Sequence, residues 1–155
     1  MKNRLLFLVL AFTLTFPATA LRAAEPPPAG ATSAPQDDET ELGRTMSKLN
    51  GAWRKLRKQA ADATANAKSL EFVATIKAAA EKALTLEPAK AEDVPAAERA
   101  KFIADYRAQM KDFIAQIDKL GEAFKANDNA AAQAIIQKMG AMQKEGHKEF
   151  KRPEH

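Results

Sequence analysis

From Leu42 to Phe150 the apolar residues recur at spacings of three and four, and that period constrains the fold more than any other feature of the chain. The first stripe is Leu42, Met46, Leu49, Trp53, Leu56 and Ala60, with Thr40 or Asp38 placed to cap its start. A second runs Leu70, Val73, Ile76, Ala80, Ala83 and Leu84, and ends before Pro88. After a connection rich in Pro, Ala and acids (Glu87 to Pro95), the third and most regular stripe carries Phe102, Tyr106, Met110, Phe113, Ile117, Leu120 and Phe124. Ala126-Asn127-Asp128-Asn129 makes a short turn and cap. The fourth stripe holds Ile135, Ile136, Met139, Met142, Gln143, His147 and Phe150, and Pro153 closes it. Alternation at period two is nowhere sustained. The pattern predicts an all-α domain, an antiparallel up-down-up-down four-helix bundle with helices of about 20 to 28 residues.

The segment before the bundle has a different character. Lys2 and Arg4 precede an apolar run from Leu5 to Phe16 that only Thr13 and Thr15 interrupt, and Ala18-Thr19-Ala20 offers small residues for a signal peptidase. The run is too short to span a bilayer, which takes about 20 apolar residues. Residues 1–20 are therefore expected to be a signal peptide cleaved after about Ala20, which implies a periplasmic protein without a membrane anchor. Residues 21–38, with Pro26-Pro27-Pro28 and Pro35, read as an Ala/Pro-rich disordered leader. The folded domain is expected over 39–152.

Composition removes whole classes of chemistry. The chain has no Cys, so disulfides, thiolate metal sites, cysteine nucleophiles and covalently attached haem are excluded. Two His, six Gly and three Ser outside the first 20 residues allow neither a phosphate-binding Gly-rich loop nor a nucleophile elbow, and an enzyme is not expected. Loss of the signal leaves 22 basic against 20 acidic residues, with no dense basic run and aromatics on the buried faces, so nucleic acid is not an expected partner.

Two residues on the apolar stripes have chemistry to offer. Met46 lies near the start of the first helix and His147 near the end of the fourth. In an up-down bundle those ends are neighbours, and a rise of 1.5 Å per residue puts the two side chains about 9 and 8 Å from the same end. A stripe Met is ordinarily core filler, and a His near a helix C-terminus suits the dipole. A thioether facing an imidazole at one level is, however, an axial pair for haem iron. Leu49, Trp53, Tyr106, Met110, Phe113, Met139 and Phe150 are the stripe residues expected to wall such a pocket. Lys151 and Arg152 are placed to meet propionates at its mouth.

The domain resembles the soluble cytochrome b562 family from about Leu42 to Arg152. The resemblance is carried by Leu42-Gly43-Arg44-Thr45-Met46-Ser47-Lys48-Leu49-Asn50, by Gln116-Ile117-Asp118, and by Gly146-His147-Lys148-Glu149-Phe150-Lys151-Arg152. It implies one non-covalent haem b held by a Met of the first helix and a His of the fourth, which land on Met46 and His147. Tyr106 and Met110 look like the residues that the family's third helix sets near its haem. Where the family has Arg one turn before the ligand His, and an aromatic just before it, this chain has Gln143 and Gly146.

The resulting expectation is a periplasmic electron-transfer protein that binds haem b and exchanges electrons with an unidentified redox partner protein. Two alternatives stand beside it. Met46, Met139, Met142 and His147 could make a soft site for cuprous copper. A haem-free bundle acting through protein contacts would need no cofactor at all.

Overall fold

A computed structural model describes residues 40–153; the expected signal peptide and Ala/Pro-rich leader lie outside the described residues. The described chain forms four α-helices, with no strand among its residues: α1 (Glu41–Gln59), α2 (Asn66–Leu84), α3 (Ala96–Lys125) and α4 (Asn129–Phe150). Each start has a physical cause. Thr40 holds an extended backbone and its hydroxyl oxygen accepts from the Gly43 amide at 2.9 Å, giving α1 its N-cap. Asp62 caps a 3-10 turn (Ala63–Ala65) that leads into α2. Pro95 immediately precedes α3, and the Asp128 carboxylate accepts from the Ala131 amide to start α4. Asn127, in the tight turn between α3 and α4, has φ of 54°, a conformation Asn tolerates better than most residues.

The four stripes become one core. Leu56, Ile76, Ile117, Leu120 and Met139 are fully buried at its centre, with Leu49, Trp53 and Phe124 nearly so. In α2 the buried edge passes through Ser69, Val73, Ile76, Ala80 and Ala83, while Leu70 and Leu84 are half-buried. Small residues on that edge let its neighbours approach closely. Packing follows chain order: α1 against α2, α2 against α3, and α3 against α4. No packing of comparable extent joins α1 to α4. None of these helices is long and apolar enough to cross a membrane.

The two ends of the helix set are secured differently. Where α1 ends and α2 and α4 begin, three asparagines interlock. The Asn66 amide donates to Asn127 Oδ1 (3.0 Å) and Asn129 Oδ1 (3.1 Å), and Asn129 donates back to Asn66 Oδ1 (2.9 Å) and to the Ala60 carbonyl (2.8 Å). Gln59 donates to the fully buried Ser69 hydroxyl at 2.9 Å. At the other end, Glu41 of α1 pairs with Lys82 of α2 at 2.7 Å, and the Tyr106 hydroxyl of α3 donates to the Ala83 carbonyl at 2.9 Å.

The connection from α2 to α3 is more than a linker. It contains a 3-10 turn (Ala89–Asp93) and buries Pro88 and Ala91. Arg99 donates to the Ala91 carbonyl at 2.8 Å, Arg152 bonds Asp93 at 2.7 Å and Glu92 at 3.1 Å, and Lys90 reaches the Glu149 carbonyl at 2.6 Å. The connection is thereby strapped to the start of α3 and the end of α4.

Candidate functional site

The same end holds a cavity of about 500 Å³ with walls from α1, the α2–α3 connection, α3 and α4. Met46 and His147 both line it. Met46 is the sixth residue of α1 and half-buried; His147 is the fourth from the end of α4 and exposed. With those helix bounds, the two lie about 7 and 5 Å from their helix ends, slightly nearer the rim than the periodicity predicts. The space between the helices that carry them coincides with the one pair of chain-terminal helices that does not pack extensively.

Of the expected wall residues, Leu49, Tyr106, Met110, Phe113 and Phe150 line the cavity. Trp53 and Met139 do not: Trp53 is two turns further along α1 than Met46, Met139 two turns before His147, and both are buried in the core. The Trp53 indole N–H is buried there without an acceptor. Lys151 is on the cavity wall, but Arg152 is committed to Asp93 and Glu92 and lines a neighbouring recess with Arg99.

Several lining residues escaped the sequence reading. Leu42 and Met142, both on the apolar stripes, line the wall as well. Pro88 and Ala89 come from the connection, and Gln109, Asp112, Lys138 and Glu145 add polar groups. Periodicity has no means of finding Pro88 or Ala89, because only the strapping of the connection brings them to this end. Gln143 and Gly146, the departures from the family pattern, are also on the wall. α4 continues through Gly146 to Phe150 without interruption. A methyl group at Gly146 would meet Gln109 Oε1 at 3.5 Å, an ordinary contact, so crowding does not demand glycine there.

The aromatic corner is ordered by edge contacts. Phe150 meets Tyr106 with ring centroids 5.5 Å apart and Phe102 at 5.2 Å, both tilted toward a T-shape. Burial pushes the Tyr106 phenol up to about 12, with Arg107 opposing slightly, so the ring is neutral and its hydroxyl stays a donor. At His147, partial desolvation and then the Lys151 cation lower the imidazole below its ordinary value, which favours the neutral ring. A neutral imidazole has a lone pair free to bind a metal. Glu149, one turn from Gly146, accepts from Gln109 at 2.7 Å and ties α4 to α3 beside the cavity.

These residues fit a haem b. The volume lies within the usual range of ligand cavities, the wall is mainly aliphatic and aromatic, and the two soft neutral donors stand on different walls. Among the described residues no cluster of His, Asp and Glu offers a competing hard-metal site.

Comparison with known proteins gives one positive result. The family model described as Cytochrome b562 matches residues 41–151, the span of the four helices. No curated protein and no solved structure matches the chain. By the family match, the chain belongs to the cytochrome b562 family, helical haem-binding electron carriers rather than enzymes.

Proposed function

We propose that this protein is a periplasmic electron carrier holding one non-covalent haem b, with the Met46 sulfur and a nitrogen of His147 as its two axial ligands. One observation carries the reading: residues 101 positions apart in sequence, and the pair best suited to iron, line one apolar-walled cavity. The helices are read as running up-down-up-down. Three ties support that direction: Glu41 at the start of α1 meets Lys82 at the end of α2, Lys77 in α2 meets Asp118 in α3, and Asn66 meets Asn129. Periplasmic location and signal cleavage after about Ala20 rest on the charge and apolar pattern of residues 1–20.

Bound haem would supply a one-electron iron couple. The Met46 sulfur and a nitrogen of His147 would hold the iron between α1 and α4, in keeping with electron transfer rather than catalysis. Leu49, Met110, Phe113 and Phe150 keep water from the buried wall, and Tyr106 presents a neutral ring. A Met/His pair with an apolar surround favours the ferrous state and a raised potential. Lys151 and Lys138 are the cavity cations available to propionates.

A titration of the purified chain with haem tests this. The expected result is one haem per chain with a sharp low-spin reduced spectrum, turned high-spin or lost in Met46→Ala and in His147→Ala. Broad, weak binding by the unaltered chain would overturn the reading. Met46, Met142 and His147 share the cavity, so cuprous copper is the second reading, tested by titration of the same three proteins.

A further inference from the structure

The cations of this molecule are unevenly placed. In α2, α3 and α4 acids are interspersed with the Lys and Arg residues, and several cations are in ion pairs: Lys77 with Asp118 and Glu81, Lys101 with Asp105, Arg107 with Glu87, Lys125 with Glu122. In α1 the pattern breaks. Between Leu42 and Ala61 there is no acidic residue, yet Arg44, Lys48, Arg54, Lys55, Arg57 and Lys58 all fall there. The last five are exposed, and none has an ion pair or hydrogen bond among the described residues.

Helix geometry gathers them. At 100° per residue, Arg54, Lys58, Arg44, Lys55 and Lys48 fall within an arc of about 120°, and they extend about 21 Å along the axis. The macrodipole accounts for Arg57 and Lys58, which sit in the last turn where cations are favoured. It does not account for Arg44 or Lys48, which sit toward the end where cations are disfavoured. Gly51 is near the middle of the arc, with open space where its side chain would be. Ser47, also within the arc, lines the cavity. The cationic face and the cavity therefore share an edge.

We propose that this face of α1 is the docking surface for an acidic partner protein, one that presents a cluster of carboxylates beside the Met46 side of the cavity. Charge complementarity selects the class of partner: Lys48, Arg54, Lys55 and Lys58, four cations with no ion pair among the described residues, attract carboxylates to one helix face and steer their approach, raising association rates by about 10- to 1000-fold. The face exposes no aromatic ring for stacking bases and no large apolar side chain to enter a bilayer, which sets it apart from nucleic-acid and lipid surfaces. Docking itself needs no cofactor. Its use for passing electrons rests on the haem reading above, and a partner seated along Ser47 would stand next to the cavity edge.

The test uses the full chain, with and without added haem, and poly-L-glutamate as the acidic probe. Carbodiimide joins a lysine amine to a carboxylate in contact with it, so peptide mapping reports where the probe lies. Cross-links are expected at Lys48, Lys55 and Lys58 rather than at Lys111, Lys119 or Lys144, whether or not haem is bound. Replacing Lys48, Lys55 and Lys58 together by Glu should weaken binding by about tenfold or more at low salt, against less than about threefold for the same change at Lys111, Lys119 and Lys144. The difference should vanish near 1 M salt, where the screening length falls to about 3 Å. Evenly scattered cross-links, equal losses in the two triple variants, or cross-links to Asp37, Asp38 or Glu39 of the same chain would overturn the proposal. So would tighter binding to phosphatidylglycerol vesicles or duplex DNA at matched salt. A protein that takes up no haem but keeps the cross-link pattern would retain the surface and lose only the electron-transfer reading.

Discussion

The asparagine end and the cavity end of this bundle make opposite use of polar groups. At the first, Asn66, Asn127 and Asn129 satisfy one another and the Ala60 carbonyl, and Ser69 is fully buried with its hydroxyl paired to Gln59. At the second, the Met46 and His147 side chains make no hydrogen bond to another described residue, and both line the cavity. A closed network fixes how four helices meet, because half of it is worse than none of it. The open end can then keep two donors uncommitted without losing the fold. Rigidity at one end supports availability at the other.

That contrast predicts separable mutant effects. Asn129→Ala removes three hydrogen bonds and strands part of Asn66, so it should cost about 2–3 kcal/mol and lower Tm by roughly 10 °C. Haem ligation, once folded, should be unchanged. Met46→Ala should do the reverse: haem-free stability falls by only about 1 kcal/mol, because the side chain is half-buried, while the low-spin spectrum disappears. Thermal melts and haem spectra of both variants check this directly, and a large stability loss in Met46→Ala would break the comparison.

A smaller effect sharpens it. Tyr106→Phe should cost about 1 kcal/mol, since the Ala83 carbonyl it leaves still accepts from the Leu86 amide. The phenol titrates near 10 in the unfolded chain and at about 12 in the fold. The contribution of its neutral form is therefore complete below pH 10 and is lost as pH rises from 10 to 12. Denaturant melts across that range should show an alkaline decline that the Phe variant lacks.

The smallest stability effect belongs to His147. Its pKa is lowered in the fold, so the folded state binds fewer protons than the unfolded chain as pH falls through about 6.5. Stability without haem should be complete above that pH and decline below it, and His147→Gln should remove the decline. The proposed ligation would need the same neutral ring, so the haem spectrum should survive into mildly acid solution and fail as the proton competes with the iron.

The stripes made the fold legible, because burial on one face of a helix writes a period into the sequence. That Met46 and His147 line one cavity was legible for a related reason: they interrupt that period with chemistry at similar heights. Height along a helix is less well encoded than face. Trp53 and Met139 share a face with the donors but sit two turns away, and the period alone cannot separate them from Leu49 or Phe150. Pairings across helices are encoded least. Asn66 and Asn129 are unremarkable polar residues until folding sets them 3 Å apart, and Arg152 is held away from the cavity by acidic partners 59 and 60 residues earlier in the chain. Whole-chain charge hid the α1 face by averaging it with balanced helices.

The strap between α2 and α3 has a consequence for the order in which the site comes into being. Its anchors on α4 are Arg152 and the Glu149 carbonyl, and His147, Phe150 and Lys151 are wall residues from the same stretch. A chain that ends after α3 contains Met46, Tyr106 and the strap with its Arg99 tie, yet lacks the α4 anchors of the strap and any residue to face the thioether. The site is therefore assembled late. On the proposed ligation, cofactor capture would wait for the chain's final helix, and a polypeptide clipped before α4 would be expected to lose tight haem binding.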